Sequence, residues 1–467
     1  MERAVSKIGP VTLTGRKMPA APFILGIAGG VTLAGLLIYD LQIALASLFL
    51  VTLFMGSLVN RGKLFPYMVL VLFITGNLLP MDKRFFPESS LSFNLDALLN
   101  VIVVVLSLIV LMLNHRQLRK ARNPALMLWL FFTGYAFLSL LLTNYPGYGL
   151  KTIVRLLAPF LIGLVFIIKT ESEKDLRRFV GAFLLILTIP IAIGVLDLIG
   201  KFTSLYYGEF RLYSQVASVF NHRAAFGMFL VAVCNLSLVC VLRKKTRIYH
   251  LLLLLVSVTL VVFNNTRIVW LSFLVSLIVI FLLKRKFKLL TLIIPLIALA
   301  YHMLPNLQFR LGSLDISNIS STYFSSPQFS TLRGRVLVWN DLLQHLNSAL
   351  FGNGIGFVRF IFTKHSEWFY NLGSPHNEYL GMFMDMGIIG LTLFVVFYIV
   401  IFIDLARNSR SLSGLSKDIA IFASSLVAAS LVFFTTDNLI GYYTINSLYW
   451  VFFGLGLSTR IIHQERT

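Results

Sequence analysis

Charged residues are scarce in this chain of 467 residues, making up 13% of it, whereas hydrophobic residues make up 57%. A water-soluble globular protein has about a quarter of its residues charged, so the composition excludes that class. The sequence therefore predicts an all-α integral membrane protein.

Cysteines and metal-ligand clusters are also scarce. Cys234 and Cys240 are the two cysteines, and they lie on different faces of one predicted helix, too far apart for a disulfide. The polar part of the chain has no dense carboxylate or His/Cys cluster with metal-ligand spacing. No Gly-Lys-Ser or Gly-Lys-Thr follows its glycine-rich turn, so a nucleotide-type phosphate loop is excluded. The sequence predicts no metal site and no cofactor.

Apolar runs long enough to cross a bilayer fill most of the chain. A helix needs roughly 20 residues to cross about 30 Å of hydrocarbon. The sequence predicts about 12–14 such spans, the first pair being the least certain. They are placed near 22–39, 41–59, 64–80, 95–113, 125–143, 150–168, 179–199, 224–242, 249–263, 268–283, 289–304, 386–404, 418–436 and 444–462.

The formal net charge of +21 comes from lysines and arginines that are concentrated in alternate loops, including both termini. Short cytoplasmic loops retain positive charge, so this pattern predicts that both termini are cytoplasmic. The basic balance is then mostly a topology signal. It does not call for a nucleic-acid partner.

One long polar interval, residues 305–376, interrupts the apolar runs. It separates an N-terminal transmembrane bundle (1–304) from C-terminal transmembrane helices (377–467). A loop of this length without spanning segments is uncommon unless it has a function. The alternation of spans predicts that it is extracytoplasmic, on the same face as the turns that precede Arg223 and Arg267.

An amphipathic helix is predicted in this loop, after Ser330, because apolar residues recur there at steps of three and four. Its apolar stripe consists of Leu332, Val336, Trp339, Leu343, Leu346 and Leu350. Such a helix is expected to lie along the membrane surface or to pack over the outer ends of the spans, with Arg335 one turn before Trp339 and near its ring. Gly352 and Gly354 are expected to end it and, with Gly356, to form turns.

A second helix is predicted to start at the end of the loop. Ser374 can cap it, Pro375 suits its first position, and His376 then falls in the first turn. The positive end of a helix disfavours imidazolium, so a histidine placed there is expected to be neutral and able to accept a proton.

These motifs, in this order, resemble the bacterial O-antigen ligase and O-antigen polymerase superfamily. The matching features are Arg267 in NNTRIVWLSF, the R-x-x-x-W of Arg335 to Trp339, the Leu-Phe-Gly-x-Gly turn, and HNEYLGMFMDMGIIGL beginning at His376. The resemblance covers most of the chain in architecture, and its diagnostic residues lie between 220 and 392.

The resemblance implies glycan transfer at the outer face of the bacterial inner membrane. Members move a glycan from an undecaprenyl-diphosphate carrier to an acceptor hydroxyl. The acceptor is lipid A-core in ligases, which are metal-independent and inverting, and another lipid-linked glycan in polymerases. The family histidine matches His376, and its two functional arginines match Arg267 and Arg335. The implied partners are the lipid-linked donor, the acceptor and membrane lipids.

The residue types also suit this chemistry by themselves. Guanidinium groups can neutralise the charge that develops on a leaving diphosphate, and a histidine can take the proton of the acceptor hydroxyl. Additional substrate-binding candidates are Arg155, Arg223, Trp339, Asn377 and Tyr379. Arg155 is included because a charge inside a span is expensive unless it is paired or faces water.

Alternatives remain open at this point. Asp197, Asp385 and Asp437 all lie near outer span ends, and any of them could orient His376 or act as the base. Arg267 could be an interfacial anchor, and Arg335 could lie on the solvent-facing side of its helix. His222 is expected to be structural. A polymerase would use the same chemistry as a ligase. A lipid-linked glycan transporter or flippase would instead favour ionisable groups near the bilayer midplane.

Overall fold

The structure is a computed structural model of the chain. It describes residues 93–118, 123–206, 223–243, 248–291, 332–364 and 374–464, together with residues 11–12, 17–18, 66–67, 69, 84–85, 216, 218, 220 and 222. The spans predicted at 22–39 and 41–59, and most of those at 64–80 and 289–304, lie outside the described residues.

Helices form nearly all of the described chain. They are α1 (Leu95–Leu113), α2 (His115–Leu118), α3 (Pro124–Ser139), α4 (Pro146–Lys169), α5 (Glu173–Tyr206), α6 (Arg223–Val241), α7 (Ile248–Asn264), α8 (Arg267–Leu283), α9 (Phe287–Leu290), α10 (Leu332–Gln344), α11 (Phe357–Lys364), α12 (Glu378–Ser411), α13 (Gly414–Phe433) and α14 (Tyr443–Gln464). Two pairs of two-residue antiparallel strands accompany them: β1 (Val11–Thr12) with β2 (Lys17–Met18), and β3 (Arg84–Phe85) with β4 (Phe93–Asn94).

The predicted class, an all-α integral membrane protein, is confirmed. Five of the described helices are long and apolar enough to cross a bilayer: Pro146–Lys169, Glu173–Gly200, Arg223–Val241, Glu378–Ser411 and Gly414–Phe433. Shorter apolar helices cover Val103–Leu113, Pro124–Ser139, Ile248–Asn264 and Arg267–Leu283. Each span predicted within the described ranges is helical, with ends shifted by a few residues. The largest difference is α12, predicted at 386–404 and observed at Glu378–Ser411.

The helices pack so that α6 and α13 are almost completely buried, whereas α5 and α12 each leave an apolar face exposed. Exposed apolar side chains on outer helices, such as Met112 and Leu185, are compatible with contact to the hydrocarbon core of a bilayer. The core contains a cluster of aromatic rings in which Trp129 of α3 packs against Trp450 of α14, with ring centroids 4.8 Å apart. The central position of α6 and α13 matters because both carry site residues at one end.

The direction of the helices follows from a buried ion-pair cluster. Asp418, near the start of α13, accepts hydrogen bonds from Arg243, just after α6, and from Lys284, just after α8. The ends of α6 and α8 therefore meet the start of α13. At the opposite end of the bundle, the starts of α6 and α8 lie with the end of α13. Glu378 N at the start of α12 donates to Phe434 O there, at 2.9 Å. This end is called the site end below.

Helix α10 confirms that the polar loop contains a helix, and its fully buried side chains lie outside the predicted apolar stripe. Val338 and Leu342 are fully buried, in a cluster with Val358, Ile361, Phe362 and Met384, whereas Leu343 and Leu350 are exposed. Helix α10 also ends at Gln344 and does not run to Gly352. Periodicity does not choose between adjacent apolar stripes. The choice depends on which neighbours, here α11 and α12, cover one of them.

The glycine-rich segment after α10 packs against a break in α12. Gly387 has φ 63° and ψ −166° within that helix, and Ile388 N turns to Ala349 O at 2.9 Å. A Cβ atom at Gly387 would lie 2.2 Å from Leu350 O, so only glycine fits this approach. The expected turn role of Gly352, Gly354 and Gly356 is confirmed by φ values of 76°, 85° and 92°.

Candidate functional site

His376 lies ahead of α12 and not in its first turn, which corrects the predicted helix start. Asn377 is the N-cap, and its side-chain oxygen accepts from Leu380 N at 3.0 Å. Ser374 and Pro375 therefore precede the helix, and His376 takes a left-handed conformation with φ 49°. A non-glycine residue with positive φ is uncommon and is found where the surroundings determine it.

The imidazole of His376 is held by a buried carboxylate. His376 Nδ1 lies 3.2 Å from Oδ1 of Asp437, which is 2% exposed, and Asn438 N donates to the same oxygen at 2.8 Å. Burial opposes ionisation of Asp437, but the hydrogen bond and charge of His376, followed by His222 and the Asn438 amide, lower its pKa below the usual value. An ionised carboxylate only accepts hydrogen bonds, so His376 Nδ1 donates and its Nε2 can take a proton.

Tyr442 and His222 extend this contact into a hydrogen-bonded chain. The Tyr442 hydroxyl donates to Asp437 Oδ1 at 2.9 Å and lies 2.7 Å from Nδ1 of His222. The rings of His222 and Tyr442 are stacked with centroids 5.1 Å apart, and the rings of His222 and His376 are 6.4 Å apart. Two imidazoles thus flank one buried carboxylate.

His222 also begins α6. It is the N-cap, and its Nδ1 accepts from Ala224 N at 3.3 Å. Burial lowers the pKa of His222; Asp437 opposes that effect, while His376, Arg223 and Arg335 add to it. The expectation that His222 is structural is therefore incomplete, since the residue both caps a helix and contacts the site.

Helix α10 connects the two loops that carry His376 and Asp437. Arg335 Nη1 donates to the carbonyl oxygen of Thr436, the residue before Asp437. Trp339 Nε1, one turn later, donates to Pro375 O at 2.7 Å, next to His376. The R-x-x-x-W spacing thus places both donors on one side of the helix, where they hold the loops against each other.

The guanidinium of Arg335 has an N–H group that is not used in a hydrogen bond within the described residues. Its Nε is buried and has no hydrogen-bond partner among the described residues. Burial lowers the pKa of Arg335, while the charge of Asp437 and then Tyr442 opposes this. The guanidinium stays protonated, because an arginine side chain is not deprotonated in proteins. A buried cationic N–H without a partner is costly and favours an anion beside it.

Arg223 and Arg267 are the first residues of α6 and α8, so both lie at the site end. Asn264, the last residue of α7 and three residues before Arg267, donates its side-chain amide to Arg223 O at 2.8 Å. Arg155 is half-buried in α4, further along that helix from its start. Contact of these three arginines with a substrate stays a prediction.

Asn377 and Tyr379, also predicted to bind substrate, are used within the protein. Asn377 caps α12, and the Tyr379 hydroxyl donates to Leu431 O at 2.7 Å. Trp339 is similarly engaged through its indole N–H. These bonds explain how the loops are held together, and any role of the three side chains toward a substrate stays a prediction.

The structure distinguishes the three aspartates that spacing left equivalent. Asp437 bonds to His376. Asp385 accepts from Gly356 N at 3.1 Å and Val358 N at 2.8 Å, so it caps α11. Asp197 accepts from Ser218 N at 3.4 Å. Only Asp437, of these three, is joined to His376 in the described structure.

Tyr442 was missed by the sequence analysis. The signal that could have found it is weak: Tyr442 lies five residues after Asp437 in a short turn between two apolar helices. A tyrosine at a span end is ordinarily explained as an interface residue, so nothing in the spacing marked it as a partner of Asp437 and His222.

The site therefore combines an imidazole, the carboxylate that orients it and a half-buried guanidinium whose buried Nε has no partner among the described residues. This set can deprotonate a hydroxyl and hold an anion beside it. Within the described residues no group of three or more His, Cys, Asp and Glu side chains is arranged to hold a metal ion.

Residues 251–395 match the family model described as O-Antigen ligase. The matched part runs from α7 to α12 and includes Arg267, Arg335 and His376. A search of curated proteins found no match. The match confirms the resemblance to the O-antigen ligase superfamily and supports a membrane glycosyltransferase or ligase of polysaccharide assembly.

Proposed function

We propose that this chain, of which residues 251–395 match the O-antigen ligase model, moves a glycan from a polyprenyl-diphosphate carrier, undecaprenyl diphosphate, to an acceptor hydroxyl. The observation that carries this proposal is the contact of His376 with the buried Asp437, beside an Arg335 guanidinium whose Nε has no partner. Lipid A-core is the proposed acceptor, as in lipopolysaccharide assembly.

Arg335 supplies the anion-binding half of the reaction. Its Nη1 is already held by Thr436 O, which orients the guanidinium plane, and its Nε remains for a diphosphate oxygen. Negative charge on that oxygen grows as the sugar leaves. An N–H group that is already in place therefore stabilises the transition state more than it stabilises the bound lipid-linked glycan. Arg267, at the start of α8, is proposed as the second cation on the same diphosphate.

His376 supplies the base. Asp437 fixes the tautomer with the proton on Nδ1, so Nε2 is left to accept the proton of the acceptor hydroxyl. As that proton arrives the ring becomes cationic, and the ionised Asp437 stabilises it. General-base help of this kind contributes typically 10²- to 10⁴-fold to a rate.

The bonds balance without any further reactant. The acceptor oxygen loses its proton to His376 Nε2 and forms a bond to the anomeric carbon. The bond from that carbon to the diphosphate oxygen breaks, and the diphosphate leaves with its electron pair, held by Arg335 and Arg267. The proton on His376 then returns to solvent.

The test is incubation of purified protein with undecaprenyl-diphosphate-linked glycan, with and without lipid A-core. Glycan on lipid A-core is expected from the wild type and not from His376→Ala. A matched control is His345→Ala, since His345 is exposed after the end of α10 and its Nδ1 lies 3.0 Å from Asp341 O in the same helix. Loss of product in both variants, or in neither, would contradict the role of His376.

The same assay separates the alternatives. Longer carrier-linked chains without lipid A-core indicate a polymerase, for which the site chemistry is unchanged. Movement of the lipid-linked glycan across a bilayer, with no new glycosidic bond formed by the wild type, indicates a transporter and overturns the proposal. Arg223, Arg267 and His376 lie at the site end and not in the middle of the spans, which favours the enzyme.

The proposed location is the bacterial inner membrane, with the site end on the periplasmic face and both termini cytoplasmic. Single cysteines can test this, because Asn347 is exposed at the site end and Ser413 is exposed at the other end. Asn347→Cys is expected to react with a membrane-impermeant thiol reagent in spheroplasts, and Ser413→Cys only after lysis. The reverse pattern would place the site in the cytoplasm.

A further inference from the structure

Three donors converge on one oxygen of Asp437. They are Asn438 N at 2.8 Å, the Tyr442 hydroxyl at 2.9 Å and His376 Nδ1 at 3.2 Å. The backbone amide is adjacent in the chain and cannot by itself fix the carboxylate plane. The hydroxyl of Tyr442 comes from the turn just before α14, so it holds the carboxylate from a second direction.

The Tyr442 hydroxyl has a single proton but two neighbours that can accept it. The one lone pair of His222 Nδ1 already accepts from Ala224 N at 3.3 Å, so Nδ1 competes weakly for this proton, and the ionised Asp437 is the stronger acceptor. The side chain of His222 therefore decides where the Tyr442 hydroxyl points. The 2.7 Å separation from Nδ1 is short enough for this control.

The geometry points to Tyr442 and His222 as positioning residues for the His376 base: His222 directs the Tyr442 hydroxyl at Asp437, and Asp437 so held keeps His376 oriented. This inference rests on the proposed function, because it names residues that act on the same reaction. It assigns no substrate contact to either residue.

Tyr442→Phe removes the hydroxyl and keeps the ring that stacks on His222. The expected result is a kcat about tenfold lower, part of the general-base contribution, with KM within about twofold. Tyr449→Phe is the matched control, since Tyr449 lies in the same helix α14 and its buried hydroxyl donates to Met228 O at 3.0 Å. It is expected to leave kcat within about twofold of the wild type.

Substitutions at His222 separate its possible roles. His222→Asn puts an amide near the former Nδ1, so it can both cap α6 and contact Tyr442. His222→Ser can cap α6 but is too short for Tyr442, and His222→Gln puts its amide near the former Nε2. Positioning through Tyr442 predicts that kcat is best retained in His222→Asn. If kcat were retained equally in His222→Ser, the role of His222 would be to cap α6 only. If kcat were retained only in His222→Gln, His222 would act through Nε2 and not through Tyr442.

The double variant His222→Ser with Tyr442→Phe completes the experiment. Residues that act through one chain are not additive, so its kcat is expected to be within about twofold of the worse single variant. Wild-type kcat in Tyr442→Phe, an equal loss in Tyr449→Phe, or additive losses in the double variant would overturn the inference while leaving the proposed function intact. A wild type that forms no glycosidic bond would overturn both.

Discussion

Replacing Asp437 by asparagine tests the central contact of the site most directly. Asp437→Asn keeps the shape of the side chain and leaves an oxygen that can accept from His376, Asn438 and Tyr442, but it removes the negative charge. The expected change is therefore in the stabilisation of the protonated His376, which forms during proton transfer, and not in binding of the donor.

The magnitude follows from the distance between the two groups. At the 3.2 Å separation of His376 Nδ1 and Asp437 Oδ1, Coulomb's law with an effective dielectric constant of about 20 gives roughly 5 kcal/mol. The His376 side chain is 14% exposed, so water replaces part of that interaction. We expect the variant to lose about 3 kcal/mol of transition-state stabilisation, which corresponds to a kcat on the order of 10²-fold lower.

The assay is the initial rate of glycan joining per mole of folded enzyme, with the folded fraction measured by size-exclusion chromatography in detergent. Asp197→Asn is the control, because spacing made Asp197 an equal candidate and the structure joins it to Ser218 N instead. It is expected to change kcat less than about threefold. A kcat within threefold of the wild type in Asp437→Asn would refute the assignment of Asp437 as the group that stabilises protonated His376.

Three further predictions concern the guanidinium, the break in α12 and the pH dependence of stability. Arg335→Lys and Arg267→Lys should each lower kcat at least tenfold despite the retained charge, because lysine lacks the planar fork of the guanidinium. The exposed Arg178→Lys should leave kcat unchanged, and wild-type rates in the first two variants would contradict binding of the diphosphate by paired guanidinium hydrogen bonds. Gly387→Ala should lower the free energy of unfolding by at least about 2 kcal/mol, seen as a lower thermal midpoint, because its Cβ would meet Leu350 O at positive φ. Gly381→Ala in the same helix has only Pro375 Cγ at 3.9 Å and should show no such loss. Folding lowers the pKa of His222, so the unfolded chain binds the proton more readily than the folded protein. The thermal midpoint should therefore fall as the pH decreases below about 6.5, and it should fall less in His222→Asn. Equal pH dependence of the thermal midpoint in both proteins would contradict the burial of a neutral imidazole.

The sequence by itself determined the membrane class, the helices and the motifs of the site. Runs of apolar residues identify spans because hydrocarbon offers no partner to a backbone polar group outside a helix. Arg267, Arg335 and His376 could be singled out because their motifs occur in order between recognisable spans. Glycine positions were also predictable, since Gly352, Gly354 and Gly356 all adopt the positive φ that glycine allows.

The sequence could not determine which groups meet. Asp437 lies 61 residues from His376, and Asp197 and Asp385 were equivalent to it by position alone. Their hydrogen bonds depend on the relative placement of whole helices, which periodicity does not encode. For the same reason periodicity did not identify Val338 and Leu342 as the fully buried side chains of α10, since α11 and α12 decide which face is covered. The left-handed turn at His376, and the chain from His222 through Tyr442 to Asp437, exist only because the starts of α6, α12 and α14 are packed around the end of α13.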